Sequence, residues 1–270
     1  MDSDFLHSTL GRTGIRVHRL GLSATYRPGK DVVYKALDEG LNYFFCYGFD
    51  NQMIKVLREA FKRDRERYVV ATGAYNLLVG HFDVRRTLEK RLRQLQTDYI
   101  DVFLLLGVTK PTHFPERLQD EFRRLREDGR VRAVGMSCHD CVFAGQMAAA
   151  GALDVLMIRY NAAHRGAEQE IFPHLVAHDS GLVSYTATRW RYLLRRPKGW
   201  PKDGRVPTAG ECYRFVLSNP HVHVCMTAPS NAQHLADNLA AVRQGPLSEA
   251  DMGFMREFGD AVHAMGKWFM

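Results

Sequence analysis

Three short stretches carry side chains whose types and spacing could do chemistry. Cys138-His139-Asp140-Cys141 sets two thiols at Cys-x-x-Cys spacing beside an imidazole, and Cys46 could face the same space. Such soft ligands suit zinc, copper or a dithiol redox pair. One Cys-x-x-Cys without a second pair is a weak signal, so no metal is assigned. His164-Arg165 joins an acid–base group to an anion clamp. Tyr47, in "FFCYG", offers a phenol beside a glycine. Twelve histidines give too many accidental pairings to single out a Ser-His-Asp set, and no carboxylate pair of glycosidase type stands out.

The elements that must position these groups alternate along the chain. Short β-branched or aromatic runs recur eight times: "VHRLGLS", "LNYFFC", "RYVVAT", "YIDVFLLL", "VRAVGMS", "LDVLMIRY", "GLVSYT" and "HVHVCMT". Between them lie stretches of helical period. Phe82, Leu88, Leu92 and Leu95 fall roughly on one face, and Phe122 and Leu125 are three apart. Eight strand–helix repeats in 270 residues predict an α/β fold, a single (β/α)8 TIM barrel spanning residues 1–270. Gly11 and Gly14 mark a turn in an N-terminal β-hairpin, and a C-terminal helix near Leu247 to His263 closes the fold. Chemistry in such a barrel sits at the C-terminal ends of the strands. No G-x-G-x-x-G follows the first strand, which argues against an open dinucleotide-binding sheet.

Composition narrows the setting. Hydrophobic residues make up 46% and charged residues 25%, ordinary for a globular chain. No apolar run approaches the ~20 residues that cross a bilayer. Five cysteines without regular spacing argue against a disulfide framework, and the first residues lack the apolar core of a signal peptide, so the expected setting is cytoplasmic. The net charge of +7 is dispersed, mostly over helix faces where acids alternate with bases. The exception is Arg189 to Arg205, with one acid among its arginines and lysines. It suits a phosphorylated ligand or a solvated loop; its interleaved Trp190, Tyr192 and Trp200 fit single-stranded nucleic acid less well. The expected partner is therefore a small molecule, not a membrane or nucleic acid, with the oligomeric state unassigned.

The segments "LGRTGIRVHRLGLS", "EGLNYFF", "TDYIDVFLL", "DGRVRAVGMS", "YNAAHRGAEQEIFPHL", "GLVSYTA" and "NAQHLADNLAAV" follow one another in the order and spacing of the aldo-keto reductases. The chain resembles that family from about residue 8 to residue 265. The resemblance implies a (β/α)8 barrel that binds NADP or NAD and reduces carbonyls with an aspartate, a tyrosine, a lysine and a histidine. The tyrosine protonates the carbonyl oxygen, and its neighbours adjust its pKa.

At those positions this chain differs. Phe45 stands at the aspartate position, Gly73 at the lysine and Leu106 at the histidine. Tyr47-Gly48 mimics the family's Tyr-Gly several residues early, and Asp50 or Asn51 falls near the tyrosine position. A positioned proton donor is worth about 10²–10⁴ in rate, or about 3–5 kcal/mol of barrier. The expected site is therefore an apolar floor where the family has a proton relay, with Tyr47 and His164 as the remaining catalytic candidates. The cofactor half matches better. The resemblance implies Tyr185 as the nicotinamide shelf, Ser137 and Asn161 on the carboxamide, Thr227, Ser230 and Asn231 near the phosphates and Asn238 on the adenine; the basic stretch that begins at Arg189 could supply positive charge from the neighbouring loop. The expected function is an aldo-keto reductase-like oxidoreductase scaffold with a non-standard or lost carbonyl-reducing site. The alternatives are a catalytically silent ligand-binding barrel and a non-redox enzyme using the same mouth.

Overall fold

The structure, a computed structural model, describes residues 4–47, 51–75 and 83–266. Phe82, Gly48 and Asp50, named above, lie outside the described residues. Strands β1 (His7–Thr9) and β2 (Arg16–His18) pair antiparallel as the expected hairpin. Eight parallel strands follow: β3 (Leu20–Ser23), β4 (Tyr43–Phe45), β5 (Val69–Tyr75), β6 (Ile100–Val108), β7 (Val131–Cys138), β8 (Val155–Arg159), β9 (Gly181–Tyr185) and β10 (Val224–Thr227). They close in sequence order, with β10 pairing back onto β3. The run "VHRLGLS" is divided between β2 and β3. Arg19 breaks it by sending its guanidinium to the carbonyls of Leu217 and Val222.

The period-2 alternation of a strand sorts its side chains between two layers. Tyr43, Phe45, Val69, Ala71, Val102, Leu104 and Leu106 point into the barrel, where Leu10, Ile15 and Val17 of the hairpin region pack with them. Phe44, Cys46, Val70, Ala74, Phe103 and Leu105 point outward to the helices. The outer layer opens with α1 (Lys30–Asp38) and α2 (Asn51–Phe61). Next come α3 (Val84–Leu95), which buries Val84, Leu88, Leu92 and Leu95, and α4 (Glu116–Glu127), which buries Phe122 and Leu125. After them follow α5 (Cys141–Ala149), the short α6 (Ala167–Glu170) and α7 (Phe172–Leu175), α8 (Ala209–Leu217) and α9 (Ala232–Val242), and α10 (Glu249–Ala264) takes the expected C-terminal position.

Two buried carboxylates tie neighbouring strands near their N-terminal ends. Asp101 accepts from the Val70 N–H at 2.9 Å and is held by Arg65 and Arg132 at 2.8 and 2.9 Å. Asp154 accepts from the Val134 N–H at 3.0 Å and is held by Arg126 and Arg12 at 2.8 and 3.1 Å. Opposite charge and backbone donors together offset the cost of burying each carboxylate. Among the described residues no helix is long and apolar enough to cross a membrane.

Candidate functional site

The C-terminal ends of the strands enclose a cavity of about 610 Å³. That lies within the range of small-molecule sites. Its floor comes from inward-facing residues of four strands. Phe45 is 5% exposed and Leu106 3% exposed, and Met157 and Met226 complete the apolar surface. Gly73 lies beside Leu106. A β-carbon there would stand 2.1 Å from the Leu104 carbonyl oxygen and 2.9 Å from Leu106 Cγ. The strand pairing thus leaves no room for a side chain at residue 73. Two residues further on, β5 points Tyr75 into the mouth instead. On β6, Gly107 takes a φ of +75° at an irregularity in the β6–β7 pairing.

One wall of the cavity is aromatic. Tyr47 stacks on Phe45 with centroids 5.7 Å apart, and its ring lies 5.3 Å from that of Tyr75. Burial first, then the neighbouring Tyr47 phenol, raises the Tyr75 pKa, so the Tyr75 phenol stays neutral.

The facing wall comes from β7 and β9. The Tyr185 hydroxyl lies 3.2 Å from His139 Nδ1, with the two rings edge to face. Ser137 lines the same side of the cavity as Tyr185. Burial raises the Tyr185 pKa. Burial, aided by the nearby Arg159, lowers that of His139. Both groups are therefore neutral near pH 7.

Thr227 and Ser230 also line the cavity, at the entrance to α9. Thr227 donates to the Tyr213 hydroxyl at 2.9 Å and accepts from the Asn238 amide at 3.3 Å. Ser230 pairs with His234 at 3.1 Å. The loop after β9 forms part of the rim. Arg189, Trp190 and Arg191 follow one another with φ of 47°, 51° and 72°, all left-handed. Such a run persists only where its surroundings hold it. Trp190 and Arg191 line the cavity; Arg189 turns away, is 6% exposed, and donates to the carbonyls of Val262 and Gly266 at the end of α10.

The mouth therefore gathers Tyr47, Ser137, Tyr185, Thr227 and Ser230, with Phe45 and Leu106 beneath them. It does not gather the other sequence candidates. The Asn161 amide donates to the Thr186 carbonyl at 2.9 Å and accepts from Ala163 N–H at 3.0 Å. Asn231 caps α9 by accepting from His234 N–H at 2.8 Å. Asn238 is buried behind Thr227. His164 packs edge to face on His263 at 5.4 Å, and burial pushes its pKa down to about 3. Arg165 pairs with Asp260 at 2.7 Å, so the His164-Arg165 stretch docks α10. Cys46 and Cys138 belong to the outer layer, and burial lifts the Cys138 thiol to about 12. Trp200 packs edge to face on Phe258 at 4.9 Å and donates to the Arg205 carbonyl. Among the described residues no cluster of His, Cys, Asp or Glu could hold a metal ion.

Sequence reasoning did not single out Tyr75 or Tyr213. The signal for Tyr75 was parity: it is two residues beyond Gly73 on an inward-facing series. Tyr213 reaches the site from α8 (Ala209–Leu217), and no strand pattern announces it.

Residues 25–196 match the family model described as aldo/keto reductase family. An aldo-keto reductase of Bacillus subtilis is 25% identical over 197 residues, 62% of this chain and 57% of that protein, so the matched part spans little more than half of that relative. An oxidoreductase of the same organism is 27% identical and covers 87% of this chain and 90% of its own length. An NADH-specific methylglyoxal reductase of Escherichia coli is 24% identical over 64% of each chain. Among solved structures, the holo form of an aldo-keto reductase from Bacillus halodurans superposes with a TM-score of 0.78 at 20% identity, over 94% of this chain and 96% of that one. An aldo/keto reductase from Klebsiella pneumoniae in complex with NADP and acetate gives 0.75 at 21% identity, over 94% and 95%.

Proposed function

The chain belongs to the aldo/keto reductase family, and on that premise we propose that it is an oxidoreductase-type barrel that binds NAD(P)(H) at a mouth unsuited to the family's usual proton transfer. The observation that carries this reading is the apolar floor. Phe45, Gly73 and Leu106 lie on adjacent strands β4, β5 and β6, and Gly73 has no space for any side chain; the resemblance puts the family's aspartate, lysine and histidine at these three positions.

The residues present fit the cofactor in its main features. The Tyr185 ring offers a face of the kind on which a flat heteroaromatic ring stacks, and the Ser137 hydroxyl stands beside it. Thr227 and Ser230 precede an 11-residue helix whose first N–H groups favour phosphate, and Arg191 adds charge from the rim. Asn161 is committed to the backbone of its own loop and helps only by holding Thr186 in place. When bound, the dinucleotide would supply hydride chemistry. The chain's own residues would seat its ring, exclude water through the apolar floor, and offer neutral phenols in place of a tuned acid.

Titration with NADPH and NADH, followed by the quenching of protein fluorescence, tests the reading. Micromolar to sub-millimolar binding together with negligible reduction of simple aldehydes is expected. No dinucleotide binding at millimolar concentration would overturn it and favour a barrel put to non-redox use. Rapid NADPH-dependent aldehyde reduction, lost on Tyr47→Phe, would restore a tyrosine acid.

A further inference from the structure

The structure separates His139 from the cysteines that flank it in sequence. Cys138 faces the outer layer, whereas Ser137 and His139, two residues apart on β7 and its extension, both line the cavity. The His139 N–H donates to the Val108 carbonyl at 2.9 Å, and the next residue, Asp140, caps α5 by accepting from the Phe143 N–H at 2.9 Å. The backbone is thus fixed on both sides of the imidazole.

The Tyr185 hydroxyl lies 3.2 Å from His139 Nδ1 and 3.3 Å from Nε2. An oxygen so nearly equidistant from both nitrogens in the ring plane would collide with the Cε1 atom between them. The hydroxyl therefore lies over the imidazole face, in keeping with the edge-to-face packing of the two rings, which are 67° apart with centroids at 5.6 Å. The lone pair and the N–H of a neutral imidazole project in the ring plane, so Tyr185 leaves both free. Among the described residues no other hydrogen bond to the ring is made.

Beside the aromatic shelf, then, stand a neutral ring with an unused acceptor nitrogen and, two residues before it, the Ser137 hydroxyl. Asn161, to which the resemblance gives the carboxamide, is committed to Thr186 and Ala163. A primary amide on a flat ring carries the matching pair, an N–H to donate and an oxygen to accept. A ketone lacks the donor, and a carboxylate lacks it and adds a charge.

We propose that His139 recognises the primary carboxamide of the bound nicotinamide ring, its neutral imidazole accepting an amide N–H while the Ser137 hydroxyl donates to the amide oxygen. The proposal rests on the dinucleotide reading and names the group that selects the ring. The charged and titratable groups that face His139 are Arg159 from β8, Tyr185 from β9, and Cys138, Asp140 and Cys141 from its own turn. Burial, then Arg159, keeps the imidazole uncharged to lower pH than usual.

Calorimetry on the intact chain compares NAD+ with 3-acetylpyridine adenine dinucleotide, which has the same charge and a methyl group in place of the amide NH2. NAD+ is expected to bind roughly 3- to 10-fold more tightly at about pH 7.5, the scale of one hydrogen bond. The preference should fade on lowering the pH to about 5, because an imidazolium has no acceptor; equal ligand charge cancels simple repulsion from the comparison. His139→Phe should abolish the preference. His139→Gln, whose amide oxygen accepts without titrating, should keep it at both pH values, and it supplies the readout should circular dichroism show His139→Phe unfolded. Equal affinity for the two dinucleotides overturns the proposal, as does a preference that persists in His139→Phe or is lost in His139→Gln; all three leave the dinucleotide reading standing. If neither dinucleotide binds, that reading fails, and nicotinamide and 3-acetylpyridine, followed on the His139 ring resonances by NMR, decide this one. A larger shift with nicotinamide supports it, and equal or absent shifts overturn it.

Discussion

Phe45 and Tyr47 lie with ring planes 10° from parallel and centroids 5.7 Å apart, although both come from one strand and its immediate extension. They are two residues apart, so both face the barrel interior. The stack occupies the strand end that the family resemblance reserves for an aspartate. A carboxylate at residue 45 would adjoin aromatic rings and Leu106, not a lysine.

Gly73 makes that departure structural. Its missing β-carbon would meet a backbone oxygen at 2.1 Å, and backbone moves only with its strand. Gly73→Ala should therefore destabilise the barrel by at least about 2 kcal/mol, the scale of overpacking in a filled core. Urea unfolding measures this; a change under about 0.5 kcal/mol, typical of surface substitutions, would show that the β5–β6 pairing is looser than described.

Tyr185 and the rim arginines should separate by mechanism. Tyr185→Ala is expected to weaken NADPH binding by about 1–3 kcal/mol through loss of a stacking surface. Arg191→Ala should weaken it more at low salt than at high salt, since exposed charges are screened over about 10 Å at 0.1 M. From sequence, Arg189 promised the same behaviour. Its guanidinium is instead bonded to the end of α10. Arg189→Ala should thus lower stability by about 1–3 kcal/mol, the worth of hydrogen bonds to a charged group, with little salt dependence in binding. Affinities measured at two salt concentrations and a melt of each variant decide the matter.

Acid should weaken the fold by forcing protons onto two buried histidines. His18 Nδ1 accepts the Leu20 N–H at 3.0 Å, and His223 Nδ1 accepts the Leu182 N–H at 3.0 Å. Neither nitrogen can keep that role once protonated. Burial, the main cause, lowers each pKa from 6.5 to about 4. The unfolded chain therefore takes up protons first as pH falls, and stability declines from about pH 6.5 to about pH 4. For the buried His18 the full effect is on the order of 3 kcal/mol at about 1.4 kcal/mol per pKa unit. A urea midpoint that stays flat between pH 7 and pH 4.5 would contradict this.

Asp101 should be among the most costly positions to alter. Asp101→Ala leaves the Val70 N–H without its acceptor and Arg65 and Arg132 without their carboxylate, and a broken buried ion pair costs about 3–5 kcal/mol. Asp120, whose pairing with Arg123 is exposed, should tolerate alanine within about 1 kcal/mol. Comparing the unfolding midpoints of the two variants checks the contrast.

The sequence by itself determined the order of eight strands, the hairpin and the C-terminal helix. These follow from local periodicity, and a strand's two faces are set by parity alone. The apolar character of residues 45 and 106 was legible for the same reason. Tertiary structure decided the rest. Closure of the barrel put Tyr75 opposite Tyr185 and left Gly73 no space. Loop paths beyond the strand ends turned Asn161 to its own backbone and Arg189 to α10, while Arg191 reached the rim. Parity stops where a strand stops. Past that point, a side chain's direction depends on φ, ψ and partners distant in sequence, which no local pattern encodes.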